Sequence, residues 1–264
     1  MSVHGIRGLA APPGRFFSVS PVRAVFLDLG GVFYLPDHER MVAALARLEL
    51  VIEPDRLDKA HYHGVAALEE FRDDDRSIWH AYNRAYARVC GVAPNDVDAA
   101  MTVLLEEFER GGVWTRVIPG SREALRELAA LGVGLAVVSN ADGTVEDQLR
   151  DDVICQVGPG PGVPVELILD SAVVGISKPD PAIFGLALDA LDVEPGNCIH
   201  VGDTPAADVA GARAAGVTPI LVDPYDLHRG IDCQRVGSLA DVASMLHATV
   251  GGGPHAAGQL MMGR

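Results

Sequence analysis

The chain has 264 residues, of which 48% are hydrophobic, so it can bury a sizeable core as one large domain or as a core with an inserted unit. Its 36 acidic and 21 basic residues give a formal charge of −15. This charge and the lack of a basic stripe exclude nucleic acid as the expected partner, because nothing would neutralise the phosphate backbone. A small anionic substrate remains compatible, since a metal ion and a few cations can reverse the field inside one pocket.

No apolar run approaches the length of a membrane span, so we expect no membrane partner. The four cysteines form no CxxC pair, which argues against a zinc cluster and favours reduced, mostly structural thiols in a cytoplasmic protein. Residues 1–21 and 251–264 are predicted to be flexible tails. The first tail has the arginines and the lack of acids of an organelle transit peptide, but its apolar residues do not recur with helical spacing.

The first predicted strand covers residues 22–27 and ends on Asp28, and two glycines follow at Gly30 and Gly31. A buried strand that carries an acid to its C-terminal tip and then turns sharply is how open α/β sheets present reactive groups. Alone, this stretch is better explained as a simple turn.

Residues 35–117 predict a helical unit inserted after the first strand. Apolar residues recur with helical spacing in four stretches, at 41–48, 57–71, 78–89 and 97–108. The third stretch contains Trp79, Tyr82 and Tyr86, an aromatic stripe that we interpret as core. We expect this unit to hinge near Gly30–Gly31 and near either Gly111–Gly112 or Pro119–Gly120.

Helices and apolar strands alternate over the rest of the chain. Strands are predicted at 134–138, 165–169 with a continuation at 173–174, 198–201 and, as the last parallel strand, 218–222. Helices are predicted from Ser121 as an N-cap, at 144–149, after Pro181, at 208–215 and at 238–246, with a loop at 158–164. This alternation predicts an α/β fold, a doubly wound parallel sheet formed by residues 22–34 and 118–250.

Polar residues stand at the ends of three predicted strands, at Asp28, Ser139 and Asp203, and Lys178 precedes a helix at the same edge. Because the carboxyl ends of parallel strands share one edge of the sheet, we expect these four side chains to converge. Each residue alone has an ordinary explanation as a turn, a helix cap or a solvated charge. Their joint order makes those explanations insufficient.

This set resembles the haloacid dehalogenase-like hydrolase superfamily, in a phosphatase-type member with a C1-type helical cap. The resemblance rests on Asp28-Leu29-Gly30-Gly31-Val32, Val138-Ser139-Asn140, Lys178-Pro179-Asp180 and Gly202-Asp203-Thr204 with Asp208. The run at 202–216 is its most specific part, and the helical insert lies between the first and second motifs, where such members place their cap. It implies a Rossmann-like core and a hydrolase that acts on a small phosphorylated metabolite. It does not predict an oligomeric state.

The resemblance also implies the roles of the site residues. Asp28 is the nucleophile that forms an aspartyl phosphate, and Lys178 neutralises charge on the transferring group. Mg²⁺ is held by Asp28, Asp203 and the Gly30 carbonyl. Ser139, Asn140 and Gly31 bind the substrate. Asp208 and Thr204 lie behind the metal ligands, where Asp208 orients either the loop or a metal-bound water.

Position 30 departs from the family pattern, because most phosphatases of this type carry a second Asp there and this chain has Gly30. That Asp protonates the leaving oxygen and then activates water, and losing such help typically costs on the order of 10²–10⁴ in rate. A phosphatase remains the first interpretation. The leaving group would then be a good one, such as an acyl or anomeric phosphate, or the cap would supply the proton from His61, His63, His80 or Tyr82.

Two other interpretations stay open. A 2-haloacid dehalogenase-type enzyme releases halide and needs no proton or metal, but it needs a cation for the substrate carboxylate, for which the candidates are Arg40, Arg72, Arg76 and Arg84. A catalytically weakened protein that binds a phosphorylated metabolite would also tolerate Gly30. The presence of Asp28, Ser139, Lys178 and Asp203 together argues against pure binding.

Overall fold

The computed structural model describes residues 21–52, 55–69 and 75–251. Within them the strands are β1 (Ala24–Leu27), β2 (Tyr34–Pro36), β3 (Trp114–Val117), β4 (Gly134–Ser139), β5 (Cys155–Val157), β6 (Val163–Val165), β7 (Leu167–Asp170), β8 (Cys198–Gly202), β9 (Thr218–Val222) and β10 (Gln234–Val236). The helices are α1 (His38–Ala46), α2 (Asp55–Leu68), α3 (Asp75–Val89), α4 (Val97–Glu109), α5 (Ser121–Ala130), α6 (Val145–Asp151), α7 (Ser171–Val174), α8 (Pro181–Leu191), α9 (Ala210–Ala214) and α10 (Leu239–Gly251).

The core is a six-stranded parallel sheet in the order β10-β9-β8-β1-β4-β7. Successive side chains of β1 point to opposite faces of the sheet. Val25 and Leu27 pack in the apolar cluster that contains α5 and α10, whereas Ala24 and Phe26 pack in the cluster that contains α8 and α9. The sheet is therefore covered by helices on both faces, as predicted, and β1 lies inside it between β4 and β8.

Helices α1–α4 form a unit with an apolar cluster of its own, which includes Met41, Leu57, Tyr86 and Leu104. We call residues 38–109 the helical insert. Its two connections to the core are β2 and β3, which pair antiparallel and which we call the ribbon. The sequence predicts the helices but not the ribbon, because three or four residues are too few to show a strand period.

Several predicted elements need correction. Ser121 is not an N-cap: Gly120 takes that place with φ 83°, and the Ser121 hydroxyl donates to the Ile118 carbonyl. Residues 173–174 belong to α7 and not to a strand. β9 is not the last parallel strand, since β10 pairs with it at the sheet edge.

The segment predicted as a loop at 158–164 is bordered by two short strands. β5 and β6 pair in parallel, and β6 includes Pro164 and Val165. The predicted strand at 165–169 therefore begins two residues later, at Leu167. The prolines and glycines correctly predict a turn in this segment. They also argue against a strand, so the short pairing of β5 with β6 is not predicted.

The predicted tails fall mostly on residues 1–20 and 252–264, which lie outside the described part of the chain. Phe71, expected at the end of the second helical stretch, lies outside the described part as well. Among the helices that the structure does describe, none is both long and apolar enough to cross a membrane. All four cysteines are unpaired, and Cys90, Cys155 and Cys198 are buried.

Candidate active site

The predicted polar residues meet at the C-terminal edge of the sheet. Asp28 follows β1, and its N–H donates to the Val201 carbonyl of β8 at 2.8 Å. Asp203 follows β8, Ser139 ends β4, and Lys178 lies in the loop before α8. Asp28, Ser139, Lys178 and Asp203 are buried and line one cavity of about 670 Å³. The strand ends therefore bring these four side chains together as the sequence indicates.

Lys178 is held between two carboxylates. Its Nζ donates to Oδ1 of Asp28 and to Oδ1 of Asp208, both at 2.6 Å. Burial alone would lower the pKa of Lys178, but Asp208 and Asp28 raise it above its usual value. Lys178 is therefore an ammonium ion fixed beside the Asp28 carboxylate.

Asn140 fixes the backbone of Lys178. Its Nδ2 donates to the Lys178 carbonyl at 2.9 Å, and its Oδ1 accepts from the Lys178 N–H at 2.8 Å. The Asn140 side chain, expected at the substrate, is thus bound to the chain itself, although Asn140 also lines the cavity. Its direct effect is to orient Lys178.

Asp208 has its oxygens occupied by neighbouring groups. Oδ1 accepts from Lys178 and lies 2.9 Å from Nε2 of His200, and Oδ2 accepts from the Thr204 N–H at 2.9 Å. Burial would raise the pKa of Asp208, but Lys178 and His200 hold it well below its usual range. Asp208 therefore anchors the loop after β8 and positions Lys178.

His200 is a site residue that the sequence analysis missed. It is fully buried in β8, where its neighbours Ile199 and Val201 are apolar. A single histidine inside such an apolar strand is a signal that a buried polar partner lies nearby. Here that partner is Asp208.

Asp203 is held by groups from both the core and the helical insert. Its Oδ1 accepts from the Thr204 hydroxyl at 3.0 Å, and its Oδ2 lies 2.8 Å from Nε2 of His61. The other ring nitrogen of His61 lies 3.0 Å from the Tyr82 hydroxyl. His61 and Tyr82, which the sequence suggested as candidate proton donors, therefore connect α2 and α3 to the site.

Gly31 lies beside the cavity and does not line it. Its N–H donates to the Tyr34 carbonyl, and its own carbonyl accepts from the Tyr62 hydroxyl, both at 2.9 Å. Its φ is 64°, and a Cβ at this position would overlap the Asp203 carboxylate. The structure thus places Gly31, expected at the substrate, as the close contact that leaves room for Asp203.

The acidic residues of the site fit a divalent cation. One carboxylate oxygen from each of Asp28, Asp203 and Asp208 lies within 4.8 Å of the others. Burial raises the pKa of Asp28 to about 7, with further increases from Asp208 and Asp203 that Lys178 only partly offsets. Hard oxygen donors with excess negative charge are the ligands that Mg²⁺ prefers.

Aromatic side chains from the insert and the ribbon form part of the lining of the cavity. Trp79, Tyr82, Phe108 and Trp114 all line it. The interpretation of the aromatic stripe as core is therefore wrong for Trp79, which is 40% exposed. Trp114 also approaches position 30, where a Cβ would lie 3.7 Å from its Cζ3.

The other residues proposed as proton donors, or as cations that bind a substrate carboxylate, do not line the cavity or lie outside the described part of the chain. His63 and His80 do not line the cavity, unlike His61 and Tyr82. Arg40 binds Glu107 and the carbonyls of the glycine pair after α4, and Arg84 pairs with Asp98. Arg72 and the side chain of Arg76 lie outside the described part of the chain.

The chain is similar to proteins that are named as phosphatases. The chain is 38% identical over 143 residues to phosphoserine phosphatase of Thermus thermophilus, a match that covers 53% of this chain and 55% of the relative. It is 37% identical over 128 residues to phosphoglycolate phosphatase of Rhodospirillum rubrum, with 48% of each chain covered. The chain thus spans about half the length of the relatives that it matches.

The fold agrees with that of solved structures. A hydrolase of the same superfamily from Ehrlichia chaffeensis superposes with a TM-score of 0.56 at 16% identity, and the match covers 88% of this chain and 100% of that one. The family model for haloacid dehalogenase-like hydrolases matches residues 22–216, which contain every site residue described above. The chain therefore belongs to the haloacid dehalogenase-like hydrolase family.

Proposed function

We propose that the protein is a Mg²⁺-dependent phosphatase of a small phosphorylated metabolite. The observation that carries this proposal is the buried Asp28 carboxylate at the tip of β1, 2.6 Å from the Lys178 ammonium and close to Asp203. Relatives named as phosphatases of phosphoserine and of phosphoglycolate support the same reaction type. The unpaired thiols agree with a cytoplasmic location.

In this mechanism Asp28 attacks phosphorus and forms an aspartyl phosphate, which water then hydrolyses. Mg²⁺, held by Asp28, Asp203 and the Gly30 carbonyl, would offset the repulsion between the nucleophile and the phosphate. Lys178 stays charged beside Asp28 and stabilises negative charge on the transferring group. Ser139, buried at the tip of β4, is positioned to bind a phosphoryl oxygen.

The helical insert, acting as a cap, covers this edge of the sheet. His61 reaches Asp203, and Tyr62 reaches the Gly31 carbonyl, so α2 contacts the site directly. A closed insert excludes bulk water and strengthens the electrostatic interactions around Asp28. Since Gly30 offers no carboxyl group, the leaving group departs without acid assistance from that position.

The experiment compares phosphate release from a panel of phosphate esters with and without Mg²⁺, for the wild type, Asp28→Asn and Asp142→Asn. Asp142 is an exposed acid on the rim of the same cavity and serves as the matched control. We expect activity that requires Mg²⁺, a loss of about 10³-fold or more in Asp28→Asn because the nucleophile is removed, and a small change in Asp142→Asn.

Two outcomes would contradict the proposal. Release of halide from 2-haloacids without metal would favour the dehalogenase, and tight binding of a phosphorylated ligand without turnover would favour the binding protein. A third variant, Gly30→Asp, tests the departure from the family pattern. Its restored acid should raise the rate on alkyl phosphates by roughly 10²–10⁴ if proton transfer limits the reaction.

A further inference from the structure

The insert and the ribbon contribute an apolar, largely aromatic wall to the cavity. Trp79, Phe108 and Trp114 form a continuous surface, with ring centroids 5.7 Å apart for the first pair and 5.8 Å for the second. Val65 and Leu68 extend it along α2. The volume of about 670 Å³ lies within the range of roughly 300–1,000 Å³ that is typical of small-molecule sites.

The charges around this wall are almost all negative. Among the described residues that line the cavity, Lys178 is the one lysine or arginine, and Asp28 and Asp208 already bind it. Of the described lining residues, Glu109 and Asp142 are exposed acids. Among the residues that the structure describes, a second anionic group on the substrate would therefore find aromatic rings and carboxylates in the cavity and no free lysine or arginine as a counter-ion.

Position 30 fits the same kind of substrate. Gly30 leaves the face of the wall open at Trp114 and supplies no acid. An aryl ester meets both conditions, because its ring can stack on the aromatic wall and its phenolate leaving group, with a pKa of about 10, needs less proton assistance than an alkoxide.

We propose that the cavity selects phosphate monoesters whose organic part is apolar and aromatic and carries no second anionic group. This inference rests on the proposed phosphatase function and names its substrate class. It separates this chain from the two relatives above, since phosphoserine and phosphoglycolate both carry a carboxylate next to the phosphate ester.

The test is the binding of two matched phosphonates, which resist hydrolysis, to the full chain with Mg²⁺ by titration calorimetry. We expect 4-methylbenzylphosphonate to bind at least about tenfold more tightly than 4-carboxybenzylphosphonate, because the carboxylate loses water without gaining a cation. Trp79→Ala should weaken binding of the methyl compound severalfold. Glu109→Lys, which places an ammonium group at the rim, should reduce the ratio of the Kd values of the two compounds.

Equal or tighter binding of the carboxylated compound overturns the inference, and loss of that binding in Arg72→Ala or Arg76→Ala would identify the cation responsible. The measurement does not depend on turnover. A protein that hydrolyses no phosphate ester but prefers the methyl compound contradicts the phosphatase and supports the ligand class. An active phosphatase that prefers 4-carboxyphenyl phosphate to 4-methylphenyl phosphate overturns the ligand class alone.

Discussion

The Asp203 carboxylate lies where a side chain at position 31 would be, so only a glycine fits at that position. We expect Gly31→Ala to displace the Asp203 carboxylate, because the added Cβ would overlap it and because φ 64° disfavours a side chain. Mg²⁺ affinity should fall by about tenfold or more, which corresponds to about 1.4 kcal/mol or more. Titration calorimetry of Mg²⁺ binding, together with phosphate release, measures this loss.

Gly120→Ala is the matched control for that substitution. Gly120 also has a positive φ, 83°, but a Cβ there would meet nothing within 4 Å. It should cost about 1 kcal/mol of unfolding free energy from backbone strain and leave Mg²⁺ binding unchanged. Equal losses of Mg²⁺ affinity in the two variants would show that strain, and not the collision with Asp203, is responsible.

The sequence alone predicts the location of those site residues that lie at the ends of strands. Asp28, Ser139 and Asp203 are of this kind, because parallel strands deliver their C-terminal tips to one edge whatever the details of packing. His61 and Trp114 are not, because their place at the site depends on how the helical insert docks. No local pattern in α2 or β3 specifies that contact.

At the scale of elements, a buried hydrogen bond from the Tyr62 hydroxyl connects α2 to the core. Tyr62 donates to the Gly31 carbonyl at 2.9 Å. Tyr62→Phe leaves that carbonyl without its partner, and we expect a loss of about 1–2 kcal/mol in the free energy of unfolding, measured by urea denaturation. Tyr225→Phe is the control, since the Tyr225 ring packs 5.7 Å from that of Tyr62 but is 39% exposed. A similar loss in both variants would contradict the role of the Tyr62 hydroxyl.

Helix α2 is also held to the ribbon by an ion pair between Asp58 and Arg116, and we expect the strength of this ion pair to depend on pH. Asp58 accepts from Arg116 at 2.9 and 3.3 Å. Burial opposes ionisation of Asp58, but hydrogen bonds from His38 and Arg116 lower its pKa from 3.8 to about 2. Because the folded pKa lies below the unfolded value, the stabilisation is complete above about pH 4 and disappears as the pH falls through about 2.

Asp58→Asn should therefore be less stable than the wild type near pH 6, and the difference should shrink as the pH falls. Because Asp58 is partly exposed, solvent screening reduces the expected difference to about 1 kcal/mol. Urea denaturation of both proteins between pH 6 and pH 3 measures it. A difference that stays constant with pH would show that the carboxylate charge is not involved.

Short strands mark the limit of the sequence analysis at this scale. Long helices and the central strands have enough residues to show a period, so α3, α4, β4 and β8 are predicted close to their observed bounds. β10 has three residues, of which Gln234 is exposed, and its pairing with β9 comes from the sheet and not from its own sequence.

At the scale of the whole molecule, the acidic site adds to a chain that is already strongly negative, with a formal charge of −15. A cation that binds only the folded state raises stability by mass action, by about 2.7 kcal/mol at a hundredfold excess over its Kd. We expect Mg²⁺ to raise the thermal unfolding midpoint and EDTA to reverse the effect. Scanning calorimetry at constant ionic strength measures it.

Asp203→Asn and Asp142→Asn separate site binding from general screening. The first should abolish the Mg²⁺-dependent rise, because Asp203 belongs to the acidic cluster, and the second should retain it. The same rise in both variants would mean that Mg²⁺ acts on the surface charge as a whole and not at the site.

The ribbon has a consequence for how the protein evolves and how it is engineered. Both connections of the insert run through it, and Arg40 donates to the carbonyls of Gly111 and Gly112 at 3.0 and 2.8 Å, which ties these expected hinge residues to α1. We therefore propose that any bending of the insert occurs on the core side of the ribbon, near Gly30–Gly31 and Pro119–Gly120. Trp114 lies on the ribbon and also forms part of the cavity wall. If the proposed function and this motion hold, ligand preference and product release depend on the same short ribbon, and we expect substitutions of Trp114 that change the preferred ligand to change the turnover number as well.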